Sequence, residues 1–481
     1  MRYLYLLLMI LPALPAKLSA QDANYWASSY GPAGYFMPGA VISQNRDSGV
    51  MFYNPALLVN TEGSTTSISG TIYQWQSILY KNGLGTGLNL KSQGTSIIPM
   101  VASRAVPMIK RKLPFTLAFA IVHTPIIDYG VSQQKDVVQD VLDNSYSPGP
   151  ETFIGQYKAA NRMDQTAVQL GAGWRAGKKI SLGFTAEAIM QKQTFTIDYI
   201  ARALMNPAGP DTLLAPITTV SEDYTATYWQ AGLRARLGLA WEISANHHAG
   251  LLITTPTVKV AGKGTVISNV QISNLYLDPT IALNLLASSR QAKLPSHWKN
   301  PLSIAAGYTY IHKKGQLYFA AEYFAPVKEY SVLKPKPAAF IRPDTGNNNT
   351  SSEFLQLNDA RRALVNFGIG ASYQLAGDFV AFASLRTDFT YDKGDIHSVT
   401  EGYNINVTNW NLYHAQIGVN MRRKWYHLRT GLMLTYGGTN NYPQTFNLDK
   451  PDESNFLLGE PGVTKAHTFQ AGVLVSYIHN F

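Results

Sequence analysis

Apolar and polar residues alternate with a period of two along most of this chain. From Trp229 to Trp241 one face carries Trp229, Ala231, Leu233, Ala235, Leu237, Leu239 and Trp241. The other carries Gln230, Gly232, Arg234, Arg236, Gly238 and Ala240. Successive side chains of a strand point to opposite sides, so this pattern predicts a strand with one apolar and one polar face. Tyr426 to Tyr436 repeats the design, with Leu428, Thr430, Leu432 and Leu434 between two tyrosines. His467 to Phe481 repeats it again and ends on an aromatic residue. Ten residues at about 3.3 Å each, tilted by about 40°, rise roughly 25 Å, the height of an outer-membrane apolar band. Aromatic residues at both ends of a stripe suit the two bilayer interfaces. A soluble sandwich would bury its apolar faces against each other and has no use for such rims.

Fourteen segments carry the pattern: 64–80, 95–108, 114–124, 165–175, 179–197, 222–244, 247–260, 301–312, 315–328, 361–375, 378–391, 408–422, 425–438 and 467–481. Short turns fall at 109–113, 176–178, 245–246, 313–314, 376–377 and 423–424. Long loops fall between them, at 125–164, 198–221, 261–300, 329–360 and 439–466. An even strand count with short turns on one side and long loops on the other is the rule for outer-membrane barrels. The predicted fold is all-β: a 14-stranded antiparallel transmembrane β-barrel over residues 61–481, with both termini on the periplasmic side.

Two segments precede the barrel. Residues 1–20 have Arg2, an apolar run from Leu4 to Leu14, and Leu18-Ser19-Ala20 as a cleavage site. That predicts a secretory signal peptide, too short in its apolar run to be a membrane helix. Residues 21–60 are rich in Gly, Ala, Ser and Pro and carry little charge. They show no strand alternation and are too long for a leader, which predicts a hatch folded into the lumen.

Composition narrows the function. The chain has no cysteine, which excludes disulfides, thiolate metal sites and a cysteine-linked lipid anchor. No cofactor or metal is expected. The net charge of +10 would suit nucleic acid, but many of the charges sit in turns: Lys110-Arg111-Lys112, Lys178-Lys179, Lys313-Lys314 and Arg422-Arg423-Lys424. Basic turns beside lipid phosphates are the simpler explanation, with outer-membrane lipid as the partner and no nucleic acid. An aromatic-ended last strand, closing on Phe481, is expected to engage the barrel-assembly machinery.

At this point the sequence resembles the FadL family of outer-membrane transporters for hydrophobic compounds. The match begins at Ser28-Ser29-Tyr30-Gly31-Pro32-Ala33-Gly34 and continues through Gly39-Ala40, Asp47 and Asn54-Pro55-Ala56-Leu57. Ile97-Ile98-Pro99, Leu294-Pro295 with Gly307-Tyr308, and Asp359-Ala360-Arg361 follow in family order. Asp388-Phe389-Thr390-Tyr391-Asp392 and the outer loops depart from the pattern. The resemblance implies capture by outer loops, binding in the lumen beside the hatch, and sideways release through a gap at a kinked third strand. The ligand is then a hydrophobic small molecule such as a long-chain fatty acid or an aromatic hydrocarbon.

Each step has candidate residues. Asn54, Pro55 and Ala56 form the hatch motif, since Asn bonds its own backbone and Pro fixes φ in a defined turn. Small residues around it would let the hatch shift without repacking. Pro99, Pro114 and Pro125 each remove a ladder donor and mark a candidate wall opening. Arg234, Arg236, Arg386 and Arg429 face inward and are candidate ligand contacts, because a guanidinium binds a carboxylate through two bonds. Such arginines also pair with luminal carboxylates, an unpaired buried charge being costly. Leu275, Leu277, Ile281 and Leu285 are candidates for an exposed capture loop, with a helix starting at Asp278-Pro279.

Other classes remain to be weighed. FadL-like barrels also act as shuttles in protein secretion, and the unmatched outer loops suit that role. A general porin predicts steady ion conductance, which a hatch suppresses. An enzyme is not expected, because no serine pairs with His414 by spacing and His247-His248 sit in a turn.

Overall fold

The computed structural model describes residues 24–26, 41–44, 50–61, 63–108, 114–206, 215–278, 281–342, 351–375, 377–392, 402–404 and 409–481. The predicted signal peptide, most of the Gly/Ala-rich lead and the 109–113 turn lie outside these residues.

The wall has fourteen strands. They are β1 (Thr65–Lys81), β2 (Leu90–Pro107), β3 (Phe115–Gln139), β4 (Glu151–Arg175), β5 (Ile180–Leu204), β6 (Ile217–Glu242) and β7 (His247–Thr254). Then come β8 (Ser303–His312), β9 (Gly315–Phe324), β10 (Leu364–Gln374), β11 (Phe379–Asp388), β12 (Leu412–Arg422), β13 (Tyr426–Pro443) and β14 (Val463–Asn480). Each pairs antiparallel with the next, and β14 returns to β1 from Thr65↔Asn480 to Lys81↔Lys465, which closes the barrel. Closure leaves no terminal edge strand, the condition for strands to stand in lipid. Each predicted strand overlaps one of these.

In the lower barrel the outward face is the apolar one. Leu170, Leu233, Leu237, Trp241, Ile369, Ile417, Leu432 and Tyr436 are among its exposed large side chains. Short connections join the strands at one end, such as 313–314 and 423–425.

Three predicted loops are largely strand. β3 and β4 run on to Gln139 and from Glu151, so only 140–150 connects them. β5 and β6 likewise fill half of 198–221. At about 3.3 Å per residue, strands of 25 residues are more than twice what the apolar band requires. They continue above it as a collar. The predicted loop 261–300 is a hairpin, Val258–Asp278 and Ile281–Pro295, whose first strand pairs with upper β6. Ile281–Pro295 is strand where a helix from Asp278-Pro279 was expected. Ile281, Leu283 and Leu285 alternate with Ala282 and Asn284, a strand pattern that outweighs the Asp-Pro signal. Asp359-Ala360-Arg361, expected to open the tenth wall strand, forms an inner strand (Leu357–Arg361) paired with Val327–Leu333. The tenth wall strand starts at Leu364.

Candidate functional site

Inside the barrel lies a short helical segment. Val50–Tyr53 makes one α-turn and Pro55–Asn60 a 3-10 helix. Asn54 caps the second helix, its Oδ1 accepting from Ala56 N at 3.1 Å, and Pro55 sits in the first turn where no N–H is needed. The Nδ2 of Asn54 donates to Ile42 O and to Leu239 O on β6, both at 2.8 Å. Val50, Met51, Asn54, Ala56 and Leu58 are all wholly buried.

Glycines in the wall make this contact. Gly173 on β4 pairs with Gly183 on β5, and Gly183 with Gly238 on β6, giving an inward-facing row. A Cβ at Gly173 would stand 2.6 Å from Pro55 O; at Gly183 and Gly238 it would overlap Ala56 N and Asn54 Oδ1. Gly250 and Gly307, paired between β7 and β8, cradle Ile42 in the same way. The small residues that matter are therefore in the wall. They hold the turn in close register against the wall.

A cavity of about 200 Å³ opens beside it. Phe52 and Tyr53 of the helical segment line it, with Arg234, Arg236, Glu322, Arg361 and Arg386 from the barrel, and Ile126 and Met163 above. Arg234 Nε lies 2.7 Å from Glu187 Oε2 and Arg236 Nε 3.5 Å from the same oxygen. Gln169 Nε2 donates to the other Glu187 oxygen at 3.0 Å. Arg236 also donates from NH1 to Phe52 O at 2.6 Å. Two of the four predicted arginines thus pair with Glu187 while lining the cavity, and Arg236 also ties the helical segment to the wall. Arg386 lines it too, whereas Arg429 is placed against the Phe382 ring and not in the lining.

The start of the described chain is anchored in this cavity. The amides of Tyr25 and Trp26 donate to Asp388 Oδ1 at 3.1 and 3.0 Å, and Trp26 Nε1 donates to Glu322 Oε2 at 2.7 Å. Tyr25 stacks on Phe324 at 4.0 Å. Arg361 bonds Asp359 at 3.0 Å, and the rings of Tyr391, Trp298 and Tyr25 surround its guanidinium at 4.7–5.9 Å. Sequence reasoning missed Glu187, the glycine rows and this aromatic box. The signal was present only for the glycines, which fall on the inward face of three neighbouring strands.

The wall has a defect next to the cavity. β2 and β3 pair only from Val101↔Val122 down to Pro107↔Thr116. Above that, no further β2–β3 pair is found among the described residues, and the next link is Gly130 N donating to Ser92 Oγ at 3.1 Å. Pro99 lies just above the last pair on β2, beside a register shift against β1 at Ser69/Gly70. Pro125 lies just above it on β3, at a register shift against β4 between Pro125 and Ile127. The bulged Ile126 is the residue that lines the cavity. Pro114 is not part of this defect; it precedes β3 at the opposite end.

Of the four predicted capture-loop residues, the two whose side chains are described pack against interior clusters. Leu275 is wholly buried, and Leu285 packs against the cluster around Tyr224 and Trp298. The side chains of Leu277 and Ile281 lie outside the described residues. Leu275 and Leu285 therefore join the interior, whereas Leu286, Val258 and Val260 of the same hairpin are exposed.

Together these features define a closed transmembrane barrel with an inner segment, a luminal cavity and an interrupted wall. Neither a protein-family model nor a curated protein matches the sequence. Solved structures match over nearly the whole chain. The toluene transporter TodX of Pseudomonas putida is 11% identical with a TM-score of 0.58, covering 96% of this chain and 100% of its own. A FadL homologue of Pseudomonas aeruginosa is 12% identical with a TM-score of 0.58, covering 95% and 100%. The toluene transporter TbuX of Ralstonia pickettii is 13% identical with a TM-score of 0.55, covering 94% and 98%. The chain has the fold of the FadL-type outer-membrane channels.

Proposed function

We propose that this protein is secreted on the signal peptide 1–20, assembled into the outer membrane through its C-terminal strand, and acts there as a passive channel for hydrophobic compounds, not as an enzyme. The observation that carries this proposal is the ladder break between β2 and β3, joined through Ile126 to the cavity beside Phe52. A hydrophobic molecule in a water-filled pore loses about 0.8 kcal/mol per methylene relative to an apolar surrounding. A cavity that opens sideways into lipid avoids that cost. Val50–Asn60 serves as the hatch, closing the way straight down through its bonds to Leu239 and Arg236. The aromatic lining and the arginines suit an aromatic hydrocarbon or a single-chain amphipath.

Mass spectrometry of small molecules retained by the purified, delipidated barrel tests this. Near-stoichiometric retention of one such compound, lost when Asn54-Pro55-Ala56 is deleted, is the expected result. An empty barrel with steady ion conductance would make it a porin, and an empty barrel that carries secreted proteins would make it a shuttle.

A further inference from the structure

We infer that the outer face of the wall at the β1–β14 seam binds a phosphorylated, multi-chain glycolipid of the outer leaflet. The site lies on the lipid side of the wall, away from the luminal cavity, and does not depend on what the barrel carries. Its lower part is an apolar groove of about 650 Å³ across β12, β13, β14 and β1. Trp75 pairs with Ala471, Ala471 with Leu434 and Leu434 with Ala415, so small residues alternate with large ones across the ladder. The alanines leave a depression bounded by Trp75 and Leu434 and, two residues lower, by Tyr73 and Leu432. Three strand spacings make it about 14 Å wide, which holds several acyl chains side by side.

Above the groove the chemistry changes row by row. Phe469 pairs with Tyr436 and Tyr436 with Tyr413, an aromatic rim of the kind that marks a bilayer interface. Two residues higher, Lys91 and His467 flank Leu79. Two residues higher again, Lys81 stands directly opposite Lys465. The three lysines are exposed, and none belongs to an ion pair among the described residues. Elsewhere on the collar an outward cation faces an acid. Lys158 is opposite Asp198, Lys192 is opposite Asp164, and Arg162 lies 3.4 Å from Asp128. Like charges directly opposite destabilise a ladder, and a phosphate between Lys81 and Lys465 turns that repulsion into attraction. Lysine stems lie along apolar surface while their charged ends reach the headgroups. Lys81 and Lys465 are at the end with the long connections, so those headgroups belong to the outer leaflet. The cations spread over β2, β1 and β14, about 10 Å. That spread fits two separated phosphates above several chains, which a glycolipid offers and a two-chain, one-phosphate phospholipid does not.

The test titrates the full-length barrel in detergent with diphosphoryl lipid A, with its dephosphorylated form and with phosphatidylglycerol. Native mass spectrometry counts the bound lipids. One lipid A is expected to bind roughly tenfold or more tighter than either other lipid, because each lysine at a phosphate adds to the attraction. The triple variant Lys81→Gln, Lys91→Gln, Lys465→Gln is expected to bind lipid A no better than the dephosphorylated form. Ala471→Trp fills the groove and is expected to weaken both forms several-fold. Lys313→Gln with Lys314→Gln, in a turn at the opposite end, should change nothing. Equal binding of lipid A and phosphatidylglycerol by the unaltered chain would make this ordinary annular lipid and overturn the site, whether or not any variant refolds. Undiminished lipid A binding by the triple variant would overturn it as well.

Discussion

The lower and upper halves of β4, β5 and β6 share one backbone ladder but have opposite polarity. In lower β4, Val168, Leu170 and Trp174 point out while Gln169, Gly171 and Gly173 point in. In upper β4, Lys158, Arg162 and Asp164 point out while Phe153, Tyr157 and Met163 point in. β5 switches between Met190 and Lys192 on its outer face, and β6 above Trp229. The alternation never stops; only its phase reverses. Lipid accepts the apolar face in the lower half, so the lumen there can hold Glu187, Arg234 and Gln169. Water surrounds the upper half, so its apolar residues turn inward and make a core of the ordinary soluble kind.

That contrast is open to mutation. Phe153→Ala removes a wholly buried ring from the collar core and is expected to cost about 3–5 kcal/mol. Leu170→Ala, at a lipid-facing site 63% exposed, leaves no internal cavity and is expected to cost far less. Denaturant unfolding of the refolded barrel in lipid vesicles measures both. Equal costs would mean that the collar has no core of its own.

Adding charge outside sharpens the same comparison. Leu170→Arg places a cation in the apolar band and is expected to cost about 2–4 kcal/mol. Thr152→Arg, on the outer face of the collar, is expected to stay within about 0.5 kcal/mol. The difference disappears if lipid reaches to the top of β4, and the same unfolding assay decides it.

The phase reversal also explains what the sequence revealed. Aromatic-ended stripes such as Trp229 to Trp241 were legible because lipid selects outward apolar residues strongly. The collar looked like loop because Asp128, Gln134 and Asp136 face out there, where an apolar stripe was sought. Leu275 was identifiable as apolar, but its burial depends on packing with Phe153, Tyr199 and Leu457 from distant segments, which no local pattern encodes. Arg234 and Arg236 were legible as inward-facing. Their common partner Glu187 required the pairing of β5 with β6, where Glu187 lies opposite Arg234. Gly183 lies 10 residues after Gly173 and Gly238 a further 55 along the chain, and only the ladder brings the three into a row.

The polar lower lumen has a smaller and more local test. Asn54→Ala removes the cap on Ala56 and leaves Ile42 O and Leu239 O without their side-chain donor. Losing buried hydrogen bonds of this kind costs about 1–3 kcal/mol. The cost should fall on docking of Val50–Asn60 and not on the wall, because the wall closes on itself through β14 and β1 without help from that segment. Ion conductance through single barrels in planar bilayers is therefore expected to rise, and amide exchange across Val50–Asn60 to speed up. Exchange along β12 and β13, which stand away from the Asn54 contacts, should be unchanged. If those strands lost protection together with Val50–Asn60, the segment would be part of the folding core of the barrel. Its bonds to Arg236 and Leu239 would then stabilise the wall itself, and the lower lumen would resemble the collar more than its polarity implies.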